Sequence, residues 1–190
     1  MHQNEEITLV HLKTGKQFGG AEQYCYYVLM ALARAGGRCK AVSSQLPRIR
    51  AAQDCFNHIG IAPDRRYFRS FRARVYRRLR LGRLYLRRAL HRHAENSGLL
   101  IVGHINLLLD VADYARKAGK KYWLLVYGID IWREWSVAER NAIEAADRVV
   151  AISAYTAETV RRALWVPFAV RNFGMGRTGR GTQAPSQRLC

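Results

Sequence analysis

Apolar residues in this chain follow two rhythms that alternate along its length. Ile7-Thr8-Leu9-Val10-His11-Leu12 is a short, nearly continuous apolar run, the pattern of a strand covered on both faces. After it, Ala21, Tyr24, Cys25, Val28, Leu29, Leu32 and Ala33 recur three and four residues apart, which predicts an amphipathic helix. Gly36-Gly37 is its expected C-terminal stop. Arg38 to Val42 predicts a second short strand, and residues 43–63 read as loop with room for a short helix. Leu99-Leu100-Ile101-Val102 is a second buried-strand run, followed at helical spacing by Leu107, Leu108, Val111, Ala112 and Ala115 and stopped by Gly119. Tyr122 to Tyr127 predicts a further strand, Ala138 to Ala146 a helix, and Arg148 to Ile152 a strand. Ser153 then serves as N-cap for a helix from Ala154 to Leu164, with Glu158 in its early turns.

Strands that alternate with helices build βαβ units, so the fold class is α/β: a doubly wound, mostly parallel sheet with helices on both faces. The pattern ends at Trp165. Residues 166–190 carry Gly174, Gly176, Gly179 and Gly181 among Arg, Thr, Gln, Ser and Pro, with no acidic residue after Glu158. This stretch is expected to be an irregular, disordered tail, leaving one domain over residues 5–165.

Charge adds what periodicity does not show. The 190 residues hold 32 Lys and Arg against 14 Asp and Glu, a net charge of +18, which favours anionic partners. Twelve of the arginines, Arg65, Arg66, Arg69, Arg72, Arg74, Arg77, Arg78, Arg80, Arg83, Arg87, Arg88 and Arg92, lie between Asp64 and Glu95 with no acid among them. Phe68, Phe71, Val75, Leu79, Leu86 and Leu90 interleave at near-helical spacing, with Tyr67, Tyr76 and Tyr85 beside them. A basic amphipathic helix of this kind suits an anionic membrane surface, with Arg69, Arg72, Arg77, Arg78 and Arg80 as candidate docking residues. A solvated helix face explains the same run. Nucleic acid is disfavoured because no recognisable binding module accompanies the charge.

The cysteines, Cys25, Cys39, Cys55 and Cys190, form no CxxC pair and meet no His at metal-finger spacing. Cys25 and Cys39 read as buried reduced thiols, which fits a reducing compartment. The start Met1-His2-Gln3-Asn4-Glu5-Glu6 is acidic and polar, unlike a signal peptide. The charge-free stretch that contains Ser97 to Leu109 is shorter than the roughly 20 residues of a spanning helix. The expected location is the cytoplasm, with peripheral association at the inner face of the membrane.

The first candidate site is Gly19-Gly20-Ala21-Glu22, between the first strand and the first helix. Glycine lets backbone N–H groups approach a ligand, and the first helical turn leaves N–H groups open. Such a turn is a place for a phosphate or sugar-phosphate, although two glycines also make an ordinary turn.

Four segments in order resemble one family: Gly19-Gly20-Ala21-Glu22, Ile101-Val102-Gly103-His104, Val126-Tyr127-Gly128-Ile129-Asp130-Ile131-Trp132, and Ala145-Ala146-Asp147-Arg148-Val149-Val150-Ala151-Ile152-Ser153. Together they are similar to the N-terminal domain of glycosyltransferase family 4, which implies a Rossmann-like domain, one N-terminal half of a GT-B fold. The resemblance implies transfer of a hexosyl group from a nucleotide-sugar donor, with retention at the anomeric carbon, as in polysaccharide biosynthesis. It implies no tightly bound cofactor or metal, and a sugar or lipid-linked acceptor held mainly by this domain. His104 then matches a cleft histidine near the transferred sugar and is the candidate catalytic residue. Gly19, Gly20, Gly128, Asp130 and Tyr127 become candidate substrate-binding residues. Asp130 can instead cap the segment after it, and Ser153, which also matches, reads first as an N-cap. Many members carry His where this chain has Tyr127, and tyrosine cannot take up a proton near neutral pH.

A complete member also has a donor-binding domain with a pair of glutamates, and no carboxylate side chain follows Glu158. The expectation is that the donor half is encoded elsewhere, in a truncated or frameshifted reading frame or as the other half of a split enzyme, and that this polypeptide alone is inactive. The alternative is a non-catalytic basic α/β module that binds an anionic membrane or a partner protein.

Overall fold

A computed structural model describes residues 6–13, 20–45, 56–60, 81–128, 133–164 and 171–172. The elements are β1 (Glu6–Lys13), α1 (Gly20–Arg34), β2 (Arg38–Gln45), β3 (Asn57–Gly60), α2 (Leu81–His93), β4 (Ser97–Val102), a single 3₁₀ turn (Ile105–Leu107), α3 (Leu108–Ala118), β5 (Lys121–Val126), α4 (Val137–Glu144), β6 (Arg148–Ala151), α5 (Ala154–Leu164) and β7 (Arg171–Asn172). All seven strands run parallel in the order β3-β2-β1-β4-β5-β6-β7. The strand order reverses between β1 and β4, and this is the place in an open parallel sheet where ligands bind.

Strand periodicity sorts the apolar runs onto two faces. Val10, Leu100, Val102, Leu124 and Val126 pack on one face with Leu86 and Leu90 of α2, Leu108 and Val111 of α3, Ile143 of α4 and Val160 of α5. Leu9, Leu99, Ile101 and Leu125 pack on the other face with Tyr24, Cys25 and Leu29 of α1. Thr8 in the middle of β1 is also fully buried, and its hydroxyl meets that of Ser97 at 2.6 Å, which satisfies two polar groups in the sheet.

Helix ends follow the expected chemistry. Gly36 and Gly119 adopt positive φ, +87° and +62°, at the ends of α1 and α3, the left-handed conformation glycine adopts without strain. Ser153 caps α5, its Oγ accepting the Thr156 amide at 3.1 Å. Asp147 joins the start of β5 to β6: its carboxylate accepts the Tyr122 amide at 2.8 Å and its own amide donates to the Tyr122 carbonyl at 3.0 Å. Cys25 and Cys39 are both buried and not in a disulfide. Burial, with Glu6 nearby, pushes the Cys39 thiol up to about 11, so it stays protonated and unreactive.

Three expectations change. Residues 43–63 contain β3, whose register matches Lys40 to Asn57 and Val42 to Ile59. Asn-His-Ile-Gly carries no apolar run because this strand is exposed at both ends and only partly buried between; backbone pairing to β2 holds it. β2 itself runs past Val42 to Gln45, since Ser43 is polar yet 1 % exposed. The sheet also extends beyond residue 165, because Arg171 and Asn172 pair with Val150 and Ala151; residues 173–190 lie outside the described residues.

The basic segment is described only from Leu81 onward, and there its charge is partly internal. Asp110, on α3, is 2 % exposed. It accepts Nε–H bonds from Arg83 at 2.8 Å and from Arg87 at 3.0 Å. Two arginines of the run therefore compensate one buried carboxylate, which would be costly without them, and they fasten α2 to α3.

Before α4, Ser136 and Glu139 form a reciprocal capping box. The Glu139 carboxyl is lowered from 4.5 to about 2 by the Arg133 side chain first, then by Ser136. A depressed folded value means the contribution to stability is present above about pH 4.5 and is lost as pH falls toward 2. In urea unfolding across that window, the wild type is expected to exceed Glu139→Gln in stability at pH 5, with the gap closing as the pH falls; a constant gap would contradict this account.

Candidate functional site

The site is assembled from the carboxyl ends of β1, β4 and β5 and the first turns of α1. At its centre is Gly103, the residue after β4. Its amide donates to the Val10 carbonyl at 2.9 Å, which extends the β1–β4 ladder by one bond. A Cβ built on Gly103 would stand 2.6 Å from His11 Cδ2 and 2.8 Å from Cys25 Sγ. Only glycine allows β1, α1 and β4 to close on one another here.

His104 follows in an extended conformation (φ −157°, ψ 133°) at the head of the 3₁₀ turn. Its Nδ1 accepts the Asn106 amide at 3.2 Å. In a neutral ring the proton then sits on Nε2, which becomes the donor nitrogen. The side chain is half-buried, with its ring 6.0 Å from the buried ring of His11 in an edge-on arrangement. His104 is thus oriented by its own turn and stands beside the His11 ring of β1.

Gly20 is the first residue of α1 and is exposed; a Cβ there would meet nothing within 4 Å. A side chain at this first helical position would point into solvent. Gly128 lies two residues past the end of β5 and is half-buried. Tyr127, between them, is 5 % exposed. Its hydroxyl lies 2.8 Å from Cys25 Sγ, and its ring packs edge-on against Tyr24 at 5.9 Å. Cys25 Sγ in turn donates to the Gly103 carbonyl at 3.8 Å. One sulphur links α1, the end of β4 and the end of β5.

The structure therefore brings Gly20, His104, Tyr127 and Gly128 to the same edge of the sheet. Gly19 and Asp130 fall outside the described residues, as do Arg69, Arg72, Arg77, Arg78 and Arg80. Sequence reading did not single out His11, Tyr24, Cys25 or Gly103 as site residues. His11 had one signal, a polar residue near the end of a buried strand, whereas Tyr24 and Cys25 look like any apolar helix positions. No cluster of three or more His, Cys, Asp or Glu side chains able to hold a metal occurs among the described residues.

A model of the family described as Glycosyltransferase Family 4 matches residues 18–170. The chain belongs to glycosyltransferase family 4. The matched residues include Gly20, the His104 strand end and the β5–β6 region. Solved structures agree on the fold. A lipopolysaccharide outer core galactosyltransferase, WaaB, in its apo form superposes with a TM-score of 0.51 at 13 % identity, covering 83 % of this chain and 42 % of that one. UGT73P12 of Glycyrrhiza uralensis, complexed with glycyrrhetinic acid 3-O-monoglucuronide, gives 0.53 at 6 % identity, covering 91 % and 49 %. UGT2 of Phytolacca americana, in its apo form, gives 0.51 at 9 % identity, covering 94 % and 53 %. The chain thus spans about half the length of these GT-B glycosyltransferases and corresponds to one half of their fold. No curated protein matches the sequence.

The two site glycines should respond in opposite ways to a methyl group. Gly103→Ala is expected to lose about 1–3 kcal/mol of stability from overpacking, because both contacts it would make are impossibly short. Gly20→Ala is expected to be neutral or stabilising, as alanine replaces glycine in a helix. Urea denaturation measures both, and a Gly103→Ala variant as stable as the wild type would refute the close-packed account of the β4 end.

Proposed function

We propose that this domain supplies the acceptor-side wall of a retaining glycosyltransferase that moves a hexosyl group from a nucleotide-sugar to an acceptor hydroxyl. The bond from the anomeric carbon to the donor phosphate breaks, and one to the acceptor oxygen forms. The nucleoside diphosphate leaves with the electron pair, and the acceptor proton passes to it. The observation that carries the reading is the His104 turn. An imidazole with Nδ1 held by a backbone amide stands at the carboxyl end of β4, beside the switch point and the open first turn of α1. Its Nε2–H can donate to a hydroxyl of the transferred sugar or stabilise charge that develops there.

Gly19 and Gly20 are assigned to the donor phosphates and acceptor through backbone donors, Gly128 and Asp130 to acceptor hydroxyls, and Tyr127 to the wall behind them. The nucleotide-sugar is a substrate, with no tightly bound cofactor. Among the fold neighbours, UGT89C1 of Arabidopsis thaliana is complexed with UDP, which supports a nucleotide-sugar donor for the class. The nucleotide belongs on a second α/β domain, the half of the GT-B fold that faces this one. Holding two substrates in near-attack geometry supplies roughly 7–11 kcal/mol of a barrier, so the 190-residue polypeptide alone is expected to transfer little or no sugar.

The deciding experiment uses the enzyme with its donor domain supplied and a radiolabelled nucleotide-sugar. His104→Ala is expected to lower kcat about 10²-fold or more without changing the unfolding midpoint. Retention of near-wild-type turnover would overturn the assignment.

A membrane-facing role is favoured by one further observation. On α2, Leu84 is 59 % and Tyr85 46 % exposed, flanked by exposed Arg88 and Arg92. This apolar and basic surface suits the anionic inner face of a membrane, where a lipid-linked acceptor would lie, and it would serve a non-catalytic module equally well. No helix among the described residues is long and apolar enough to cross a membrane. In sedimentation with vesicles, binding is expected to phosphatidylglycerol-containing but not to pure phosphatidylcholine vesicles, with release by high salt. Equal binding to both, or to neither, would exclude the docking role.

A further inference from the structure

The Tyr24 hydroxyl is the group in this site whose chemistry is left open. Tyr24 is 8 % exposed, and its buried hydroxyl has no hydrogen-bond partner among the described residues. Burial, with Cys25 next to it, pushes its pKa above the ordinary tyrosine value of 10.0, so near neutral pH it remains an O–H donor. An orphaned buried hydroxyl destabilises a fold, and phenylalanine would fill the same space without that cost.

Its position gives the orphan a purpose. Tyr24 sits one turn into α1, four residues after Gly20. Its ring packs edge-on against Tyr127, the residue before Gly128. Tyr127 and the Gly103 carbonyl both meet Cys25, the residue after Tyr24, and Gly103 leads directly into His104. Tyr24 therefore belongs to the same wall as the groups assigned to acceptor and transferred sugar, and its hydroxyl donor is not used by any of the described residues.

We propose that Tyr24 is a ligand-binding residue whose hydroxyl donates to an oxygen of a hydroxyl-rich ligand, a sugar ring of the acceptor, held against this wall. The inference rests on the glycosyl-transfer reading and adds to it a residue that distinguishes a polyhydroxyl ligand from an apolar one. It also explains why a costly tyrosine is kept there. The bond missing in the ligand-free protein is completed when the ligand arrives, so its energy appears as affinity.

The test pairs unfolding with binding in wild type and Tyr24→Phe. Methyl α-D-glucopyranoside, methyl α-D-galactopyranoside and methyl α-D-mannopyranoside serve as probes in ligand-observed NMR titrations of the full chain. The wild type is expected to bind at least one of them. Tyr24→Phe is expected to weaken that binding about 5- to 30-fold while its ligand-free unfolding midpoint stays equal or rises. Unchanged affinity in the variant, a lowered midpoint that marks the hydroxyl as a structural partner, or no glycoside binding by the wild type would each overturn the inference. The His104→Ala turnover measurement separates the two claims. Loss of transfer there with unchanged glycoside binding in Tyr24→Phe sinks only the role of Tyr24, whereas retained transfer sinks the catalytic reading itself.

Discussion

The architecture depends on the pairing of β1 with two neighbours at once. Its residues pair with β2 from Glu6↔Arg38 onward on one side and with β4 from Ile7↔Leu99 onward on the other. Parallel strands need crossover helices, and because right-handed crossovers run from β1 toward β2 on one side and from β4 toward β7 on the other, α1 packs on one face and α2 to α5 on the opposite face. That reversal leaves a crevice at the carboxyl ends of β1 and β4, and the candidate site lies at this edge. The same pairing buries β1 from Ile7 to His11, which is why Thr8 and Ser97 satisfy each other and why His11 lies inside, beside His104.

Close approach at Gly103 turns this geometry into a site. Without a side chain at that position, the His11 ring and the Cys25 sulphur can both reach the β4 terminus. The chain must then leave the sheet at once, and it does so through the His104 turn. The imidazole orientation is a consequence of local backbone hydrogen bonding and of packing against β1. Cys25 and Tyr127 tie α1 and β5 to the same point, so the wall shared by three elements is held by a few contacts between small or aromatic groups.

Much of the fold was legible in the chain, because buried parallel strands and amphipathic helices write their burial directly into apolar spacing. The runs around Leu9, Ile101 and Leu124, the stops at Gly36 and Gly119 and the cap at Ser153 all appear where the pattern implies. β3 was not legible: a short edge strand is held by backbone bonds to β2, and backbone bonds leave no side-chain signature. The basic run was legible as charge and, from Leu81 to His93, as an amphipathic helix, but not in what its arginines meet. Arg83 and Arg87 look like surface arginines until α3 brings the buried Asp110 beneath them.

The sequence by itself determined the α/β class, the strand-turn-helix at Gly20, and His104 at a strand end, because each is encoded within a few neighbouring residues. Its four ordered motifs also carried the family. Tertiary structure alone decided that Tyr24, Cys25, Gly103, His104 and Tyr127 form one wall, and that the Tyr24 hydroxyl is left unsatisfied there. These relations join residues 78 and 102 positions apart in the chain. Helical spacing makes Tyr24 and Cys25 look like core, and they are core. What the spacing does not encode is which strand ends they meet, since that is set by the order in which β1, β4 and β5 pair.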